Sequence, residues 1–247
     1  MIITSRKSLI VIGAATFIAG ALLLFPARVA YNWFVPDTVR LSGIQGSVWN
    51  GKVIEGSAGG VYFTGLSWRF RPLALFTGKA VFDTNINTTG GPISMSFGVG
   101  PGGSLSMKDV AGSLSLAAIH PALQENRING MLNIQLQSLV LKNGWPTEII
   151  GNIGVGNLVA GALGPDSLGN FRAEFTTEDN LIAGLVEDAG AVLDVTGTIN
   201  LTDDRGYALI GFVSPNDETP PAITQNLRFL GSADANGQRQ FRFEGSL

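Results

Sequence analysis

The chain has 247 residues, a formal net charge of −3, 33 glycines and no cysteine. A weakly acidic chain without a basic cluster is not expected to bind nucleic acid, and a chain without cysteine carries no lipoprotein signal. Charged residues make up 14% of the chain, against about 25% in a typical domain, and glycine far exceeds its usual share of about 7%. This composition is typical of an all-β protein punctuated by glycine turns.

The first predicted element is a membrane-spanning helix. Residues 8–27 (SLIVIGAATFIAGALLLFPA) contain no charge, and Arg6 and Lys7 precede them. At about 1.5 Å per residue, a helix of this length spans roughly 30 Å, which is close to the thickness of a bilayer's hydrocarbon core. We therefore predict a cytoplasmic tail at 1–7, a single transmembrane helix at 8–30 and a β-rich domain at 31–247.

Two alternatives for this segment are a cleaved signal peptide and a buried core helix. The apolar stretch is longer than the roughly 7–15 residues of a signal-peptide core, and no small-x-small cleavage site follows it. The nearest candidate, at residues 28–30, has Arg28 where a small residue is needed. A buried helix of this length, apolar on all sides, is unusual in a small domain. An uncleaved anchor is the favoured interpretation.

The flanking charges predict how this anchor is oriented. Arg6, Lys7 and the terminal amine lie on the N-terminal side, which the positive-inside rule assigns to the cytoplasm, whereas Arg28 weakly opposes this. Tyr31, Trp33 and Phe34 follow where an aromatic belt would meet the opposite interface. In a bacterium this predicts a single-pass protein of the inner membrane with its C-terminal domain in the periplasm.

Alternation of apolar and polar residues predicts about a dozen strands after residue 40. It is clearest at 193–201, where every odd position is apolar or glycine and every even position is polar. Such strands form a curved antiparallel sheet or a sandwich with one face on a core. Residues 207–213 are apolar on both phases, which predicts burial on both faces or a partner surface. Short helices are expected at 72–76, 116–124 and 221–230.

Candidate catalytic and ligand-binding groups are few. His120 is the single histidine, so no zinc site can be built from imidazoles and thiols. The acidic pairs at 178–179, 187–188 and 203–204 lie at predicted turns, where solvated carboxylates are ordinary. The Gly-Val-Gly at 154–156 lacks the third glycine and the βαβ context of a dinucleotide loop. We therefore predict no enzymatic activity, no cofactor and no metal.

Several segments, taken in order, resemble the type II secretion system protein N family, also called general secretion pathway protein N. They are GIQGSVWNG at 43–51, LSWRFRPLALF at 66–76, LVLKNGWPT at 139–147 and FLGSADANG at 229–237. The residues that carry the resemblance are assigned structural roles and are Gly46, Trp49, Gly51, Trp68, Pro72, Pro146, Gly231 and Gly237. The resemblance covers essentially the whole chain.

This resemblance implies a non-enzymatic accessory component of the inner membrane that supports export of folded proteins from the periplasm across the outer membrane. Its implied partners are other secretion-system subunits, and the lipid bilayer through the N-terminal helix. The periplasmic part also looks similar to the open, curved sheets of AsmA-like envelope proteins, so a lipid-handling or lipid-transfer protein with a lipid ligand is the alternative. A periplasmic glycan hydrolase is a third hypothesis, but it needs two carboxylates facing each other across a cleft.

Overall fold

The computed structural model describes residues 6–120, 127–161, 164–179, 181–202 and 205–246. The N-terminal segment forms two helices, α1 at Arg6–Leu23 and α2 at Ala27–Phe34, where one helix was predicted over 8–30. Pro26 lies between them in an extended conformation, with φ −69° and ψ 134°. Since a proline disfavours helical backbone in the residue before it, the break follows from the sequence. Within the described ranges, no helix has the length and hydropathy required to cross a membrane.

The rest of the described chain is dominated by fifteen strands. They are β1 Val39–Ser42, β2 Gln45–Gly46, β3 Asn50–Lys52, β4 Glu55–Ala58, β5 Val61–Phe70, β6 Ala80–Thr88, β7 Gly91–Val99, β8 Leu105–Ser115, β9 Ile128–Lys142, β10 Trp145–Ala160, β11 Gly169–Glu178, β12 Leu181–Ala191, β13 Leu193–Leu201, β14 Gly206–Pro215 and β15 Arg239–Ser246. All of them belong to one open antiparallel sheet, so the chain is mainly β as predicted and the sandwich alternative is not adopted.

The sheet is a meander in which each strand from β5 to β15 pairs with the next strand in sequence. At its first edge, β1 pairs with β4 and β2 with β3, while β3 and β4 both pair with β5. These four short strands are therefore one hairpin, interrupted near Ile44 and Val53. The longest strands, β9 and β10, are joined by Asn143 and Gly144, whose positive φ values of 53° and 78° are those of a tight hairpin turn.

The register places apolar and polar residues on opposite faces of the sheet. Directly opposed residues share a face, so the pairing can be followed across successive strands. One row on the apolar face is Ile93, Gly112, Ile134, Ile153, Ala173, Val186, Gly197, Gly211 and Phe241. The neighbouring row on the other face is Ser94, Ala111, Gln135, Asn152, Glu174, Leu185, Thr198, Ile210 and Arg242. This alternation confirms the two-faced pattern predicted for residues 193–201.

The main core lies on the apolar face at the middle of the sheet. It is a cluster of side chains from five consecutive strands, all at most 9% exposed: Val110, Leu136, Ile149, Phe175 and Ile182. Because every described strand belongs to this one sheet, burial to this degree requires the sheet to curl around its apolar face. A 3₁₀ turn at Leu116–Ile119 contributes the buried Leu116 and reaches strand β5, in keeping with that curvature.

Helix α3 at Pro221–Asn226 and the 3₁₀ turn Leu227–Leu230 cover the far end of the apolar face. Their Ile223 and Leu227 are 2% and 1% exposed and pack with residues of β13 and β14. This agrees with the short helix predicted at 221–230. The helix predicted at 72–76 is a 3₁₀ helix at Pro72–Thr77. Of the one predicted at 116–124, the structure describes a 3₁₀ turn at Leu116–Ile119 followed by His120 in helical conformation, and residues 121–124 lie outside the described residues.

Strand β14 contains the segment 207–213 that is apolar on both phases. Val213 is 4% exposed and belongs to the second core cluster, whereas the intervening Phe212 on the opposite face is 40% exposed. At this end of the strand only one face is fully buried, whereas residues 207–210 are half-buried on both faces.

Candidate functional site

The side chain of Trp49 joins the N-terminal helix to the sheet. Its indole Nε1 donates a hydrogen bond to the backbone carbonyl of Leu22, at 2.7 Å. Leu22 lies in the last turn of α1, where carbonyl groups have no partner within the helix. Trp49 lies in the turn before β3, so one side chain fixes the end of the helix against the first hairpin. We call the surroundings of this contact, Leu22, Trp49, Trp68 and Phe70, the helix–sheet junction.

Two glycines of the resemblance allow the hairpin at this junction to close. A Cβ atom on Gly51 would lie 2.3 Å from the ring of Trp68, so the indole occupies the space that a side chain would need. Gly46 has φ +90°, and a Cβ there would lie 2.4 Å from the carbonyl oxygen of Asn50. Trp68 Nε1 in turn donates to the carbonyl of Val48 at 3.1 Å. Close approach thus explains both glycines and the orientation of the second tryptophan.

An aromatic row extends from the junction along the sheet. The rings of Trp49 and Phe70 have centroids 4.8 Å apart, and those of Phe70 and Phe82 are 5.3 Å apart. Both pairs are tilted, an arrangement that favours aromatic contact. The sequence indicated the two tryptophans but not Phe82, which is adjacent only because β5 pairs with β6.

Pro72 begins an exposed apolar turn beside this row. It lies at the first turn of the 3₁₀ helix Pro72–Thr77, where the missing N–H is tolerated. Leu73 and Phe76 in this turn are 77% and 90% exposed. Phe70 and residues 71–74 line a cleft of about 500 Å³. An exposed apolar turn next to the end of α1 is a surface suited to lipid or a protein partner.

Helix α2 packs on the first hairpin. Ala27 forms a small core with Ile44 and Val53. The Tyr31 hydroxyl donates to the carbonyl of Val39 at 3.1 Å and accepts the N–H of Leu41 at 3.3 Å. Both groups belong to β1, so Tyr31 binds the outer edge of the sheet. Its predicted place in an interfacial aromatic belt did not indicate this role.

The other two aromatic residues of the predicted belt project outward. Trp33 and Phe34 are 68% and 76% exposed. Trp33 also contacts Phe25, with ring centroids 5.7 Å apart. Exposed aromatic side chains therefore flank the break between the two helices.

The remaining residues of the resemblance lie away from the junction. Pro146 follows the Asn143-Gly144 turn in β10, where the register shifts. Gly231 ends the 3₁₀ turn after α3 with φ +108°, and its carbonyl accepts the Nε–H of Arg239 at 3.2 Å. Gly237 has φ +80° in the turn before β15. The structure brings together Gly46, Trp49, Gly51 and Trp68, with Pro72 adjacent, but not the other three.

The candidate catalytic groups have structural surroundings. His120 Nε2 hydrogen-bonds the carbonyl of Ile128. Asp188 Oδ1 accepts the N–H of Val195 at 3.0 Å, and Glu187 pairs with Arg172 at 3.5 Å. Within the part of the chain that the structure describes, no three His, Asp or Glu residues are grouped to hold a metal ion.

Three further candidates were predicted from the sequence. The Gly-Val-Gly at 154–156 lies inside strand β10, not in a loop. The acidic pair at 203–204 lies outside the described residues, and the pair at 178–179 is at the end of β11.

Two titratable groups have altered proton affinity. The Tyr62 hydroxyl donates to Glu55 Oε2 at 2.9 Å. This hydrogen bond, followed by desolvation and the negative charge of Glu55, raises the pKa of Tyr62 above its usual value. At the other edge of the sheet, the hydrogen bond to Glu244 and its charge raise the pKa of Arg242. Both pairs lie on the surface: Tyr62–Glu55 joins strands β5 and β4, and Arg242–Glu244 lies within β15.

Comparison with known proteins identifies the family. A sequence profile described as Type II secretion system (T2SS), protein N, matches residues 37–242. The chain belongs to the type II secretion system protein N family. The match begins after α2 and ends in β15, so the family signature covers nearly the whole sheet and includes all eight residues of the resemblance.

Two relatives in the family support this assignment. Type II secretion system protein N of Aeromonas hydrophila is 23% identical over 221 residues, which are 86% of each chain. The protein of the same name from Vibrio cholerae serotype O1 is 22% identical over 240 residues, covering 90% of this chain and 91% of the relative. No solved structure matches the chain significantly. Membership in the protein N family does not favour the AsmA-like lipid-handling alternative.

Proposed function

We propose that this protein is a non-enzymatic accessory component of the type II secretion system, held at the bacterial inner membrane, that supports export of folded proteins from the periplasm across the outer membrane. The observation that carries the proposal is the family match over residues 37–242. In support of a non-enzymatic role, His120 and Asp188 are engaged with backbone groups of the sheet. Its direct partners in this proposal are other subunits of the same system.

The proposed membrane anchor is helix α1, and its surface chemistry supports this role. Apolar side chains are exposed along the helix, including Phe17 at 77%, Ile10 at 66% and Leu23 at 68%. Burying apolar surface is favourable by about 25 cal/mol per Å², so a helix exposed in this way gains stability in lipid. Trp33 and Phe34 lie in the last turn of α2, ten and eleven residues beyond the end of α1, and exposed aromatic residues favour the membrane interface.

The exposed turn at Pro72–Thr77 is the proposed second contact with the bilayer. It follows Phe70, which stacks on Trp49, and Trp49 is bonded to the end of α1. Leu73 and Phe76 therefore project near the place where the anchor meets the sheet. Replacing both with serine in the full-length protein should weaken membrane retention at high salt and alkaline pH, while Leu181→Ser, at a leucine that is 65% exposed in strand β12, should not.

Deletion of the gene in a strain that secretes a folded exoprotein tests the secretion role. We expect exoprotein to accumulate in the periplasm and to return to the medium when the full-length chain is supplied. A chain in which residues 8–24 are replaced by an unrelated apolar helix should also restore secretion, whereas one released by a cleavable signal peptide should not. Undiminished secretion in the deletion strain would contradict the proposal, and full activity of the released chain would contradict its membrane anchoring.

A further inference from the structure

The two edges of the sheet differ in what covers them. At the first edge, the Tyr31 hydroxyl binds the outward-facing backbone groups of Val39 and Leu41. Pro26 forms an isolated bridge with Ser47, and the N–H of Val48 donates to the carbonyl of Phe25 at 3.0 Å. The N-terminal segment thus covers this edge. In the ranges that the structure describes, β15 at the last edge has one strand neighbour, β14.

An edge strand with unpaired N–H and C=O groups is a template for another strand. Strand β15 has the sequence RQFRFEGS. It carries no proline, and the one cation at its centre, Arg242, is paired with Glu244 of the same strand. Phe243 projects from the apolar face, where it extends the row that contains Phe175, Gly184, Ile199 and Leu209. It is 55% exposed, because nothing in the described chain continues that row.

The charges of β15 and its exposed Phe243 together favour one register for pairing with a second copy. A two-fold axis perpendicular to the sheet relates two identical antiparallel strands. Because directly opposed residues point to the same face of the sheet, this axis must pass between two copies of the same residue. With the axis at Arg242 or at Glu244, two like charges are directly opposed, which is destabilising. With the axis at Phe243, each Arg242 faces Glu244 of the other copy, and the two Phe243 rings meet on the apolar face.

We propose that two copies of this chain associate through β15, antiparallel and centred on Phe243, so that their sheets become continuous. The pairing gives β15 a second strand neighbour where the described chain supplies one, forms two new Arg242–Glu244 contacts and covers the exposed Phe243. A single strand pair buries less than the roughly 1,600 Å² of a standard interface, so the association is weak in dilute solution. Tethering both copies in one membrane raises their effective concentration. The inference rests on the proposed membrane anchoring but not on the secretion role.

Cysteine cross-linking of the full-length protein in membranes tests this pairing, because the chain has no cysteine of its own. Opposed residues of an antiparallel pair have Cα atoms about 4.5–5.5 Å apart, within the range a disulfide spans. Phe243→Cys should therefore give a reducible dimer under mild oxidation. Phe241→Cys, on the same face, should not, because the two sites are displaced by four residues, about 14 Å along the strands.

Two differently tagged copies test the register directly. Arg242→Cys on one and Glu244→Cys on the other should cross-link when they are mixed, whereas either variant alone should not. A lack of dimer from Phe243→Cys, or equal dimer yields from Phe241→Cys and Phe243→Cys, would overturn the proposal. So would exclusive cross-linking of Phe243→Cys to a different protein, since the edge would then serve another partner.

Charge reversal in the Phe243→Cys background provides a second measurement. Arg242→Glu places two carboxylates in direct opposition and should lower the dimer yield several-fold. Adding Glu244→Arg to the same chain restores opposite charges and should restore the yield. The matched control is Arg172→Glu, which breaks a comparable exposed pair with Glu187 within the sheet and should leave the yield unchanged. Failure of the double reversal to restore the yield would exclude this register.

Discussion

The indole of Trp49 and the carbonyl of Leu22 form a hydrogen bond of 2.7 Å across 27 positions of the sequence. The same carbonyl also accepts the N–H of Phe25 at a longer 3.4 Å, and the tilted contact of the Trp49 ring with Phe70 attaches that helix end to strand β5. Pro26 interrupts the helix four residues later, so the Trp49 bond acts together with the Pro26–Ser47 bridge and the Val48–Phe25 hydrogen bond to position the N-terminal segment on the sheet.

The first prediction concerns this bond. Trp49→Phe keeps an aromatic ring against Phe70 but removes the donor, which should weaken the attachment by about 0.5–1.5 kcal/mol. We expect trypsin to cleave the full-length protein after the exposed Arg28 several times faster than in the wild type. Trp33→Phe, which changes an indole that is 68% exposed, should leave the cleavage rate unaltered. Equal rates for all three proteins would show that the bond does not hold the junction.

Replacing Gly51 with alanine should destabilise the first hairpin. The added methyl group would lie 2.3 Å from the Trp68 ring and 2.7 Å from the carbonyl of Gln45, so the indole must move. Overpacking of this kind typically costs about 1–3 kcal/mol, and in a domain of this size each kcal/mol lowers Tm by about 2–4 °C. Gly154→Ala is the matched control, because its nearest neighbour would be 3.6 Å away. A Tm for Gly51→Ala equal to that of the control would contradict the close packing.

Removing the Tyr31 hydroxyl should open the first edge of the sheet. Tyr31→Phe retains the ring but leaves the Leu41 N–H and the Val39 carbonyl without this partner. We expect faster hydrogen exchange across β1, with little change in β5. Tyr62→Phe, which removes a hydroxyl from an exposed pair with Glu55, should leave exchange in β1 as in the wild type. Unchanged exchange in Tyr31→Phe would mean that the edge is protected by other contacts.

Ionisation of Tyr62 should depend on Glu55. The hydrogen bond to Glu55, then desolvation and the carboxylate charge, raise the pKa of Tyr62 above 10.0. A raised pKa in the folded state means that the associated stabilisation is present below the unfolded pKa and is lost as the pH rises through the folded pKa. In an absorbance titration of the chain's three tyrosines, Glu55→Gln should shift one transition to lower pH. Superimposable titration curves for the two proteins would refute the interaction.

Local patterns predicted most of the sheet because each strand needs only its neighbours in sequence. The alternation at residues 193–201 is reproduced in β13, and Asn143-Gly144 forms the turn that its sequence indicates. The break at Pro26 also follows from the local sequence. A single helix was predicted because hydropathy is uniform across residues 8–27 and contains no information on how proline restricts the backbone.

Contacts at the helix–sheet junction were beyond the reach of sequence patterns. The resemblance identified Trp49 and Gly51 as notable residues. It did not identify the partner of Trp49, because that partner is a backbone carbonyl, a group that every residue carries. Tyr31 was predicted to be an interfacial aromatic residue, because its residue type and its position just after the apolar stretch fit that role. Its actual partners on β1 depend on how α2 folds back over the hairpin, which is a tertiary contact.

The neighbour-to-neighbour order of the strands has a consequence for how the chain is assembled. From β5 onward each strand pairs with its neighbours in sequence, so each pairing closes only a short loop, and short loops cost little closure entropy. Once Tyr31 is bound to the first hairpin, each later strand can pair with the strand that precedes it in sequence, which has already been made. The sheet is then able to grow one strand at a time, from the N-terminal hairpin towards β15. By the same logic, whole hairpins can be inserted or lost during evolution without rearranging the strands on either side.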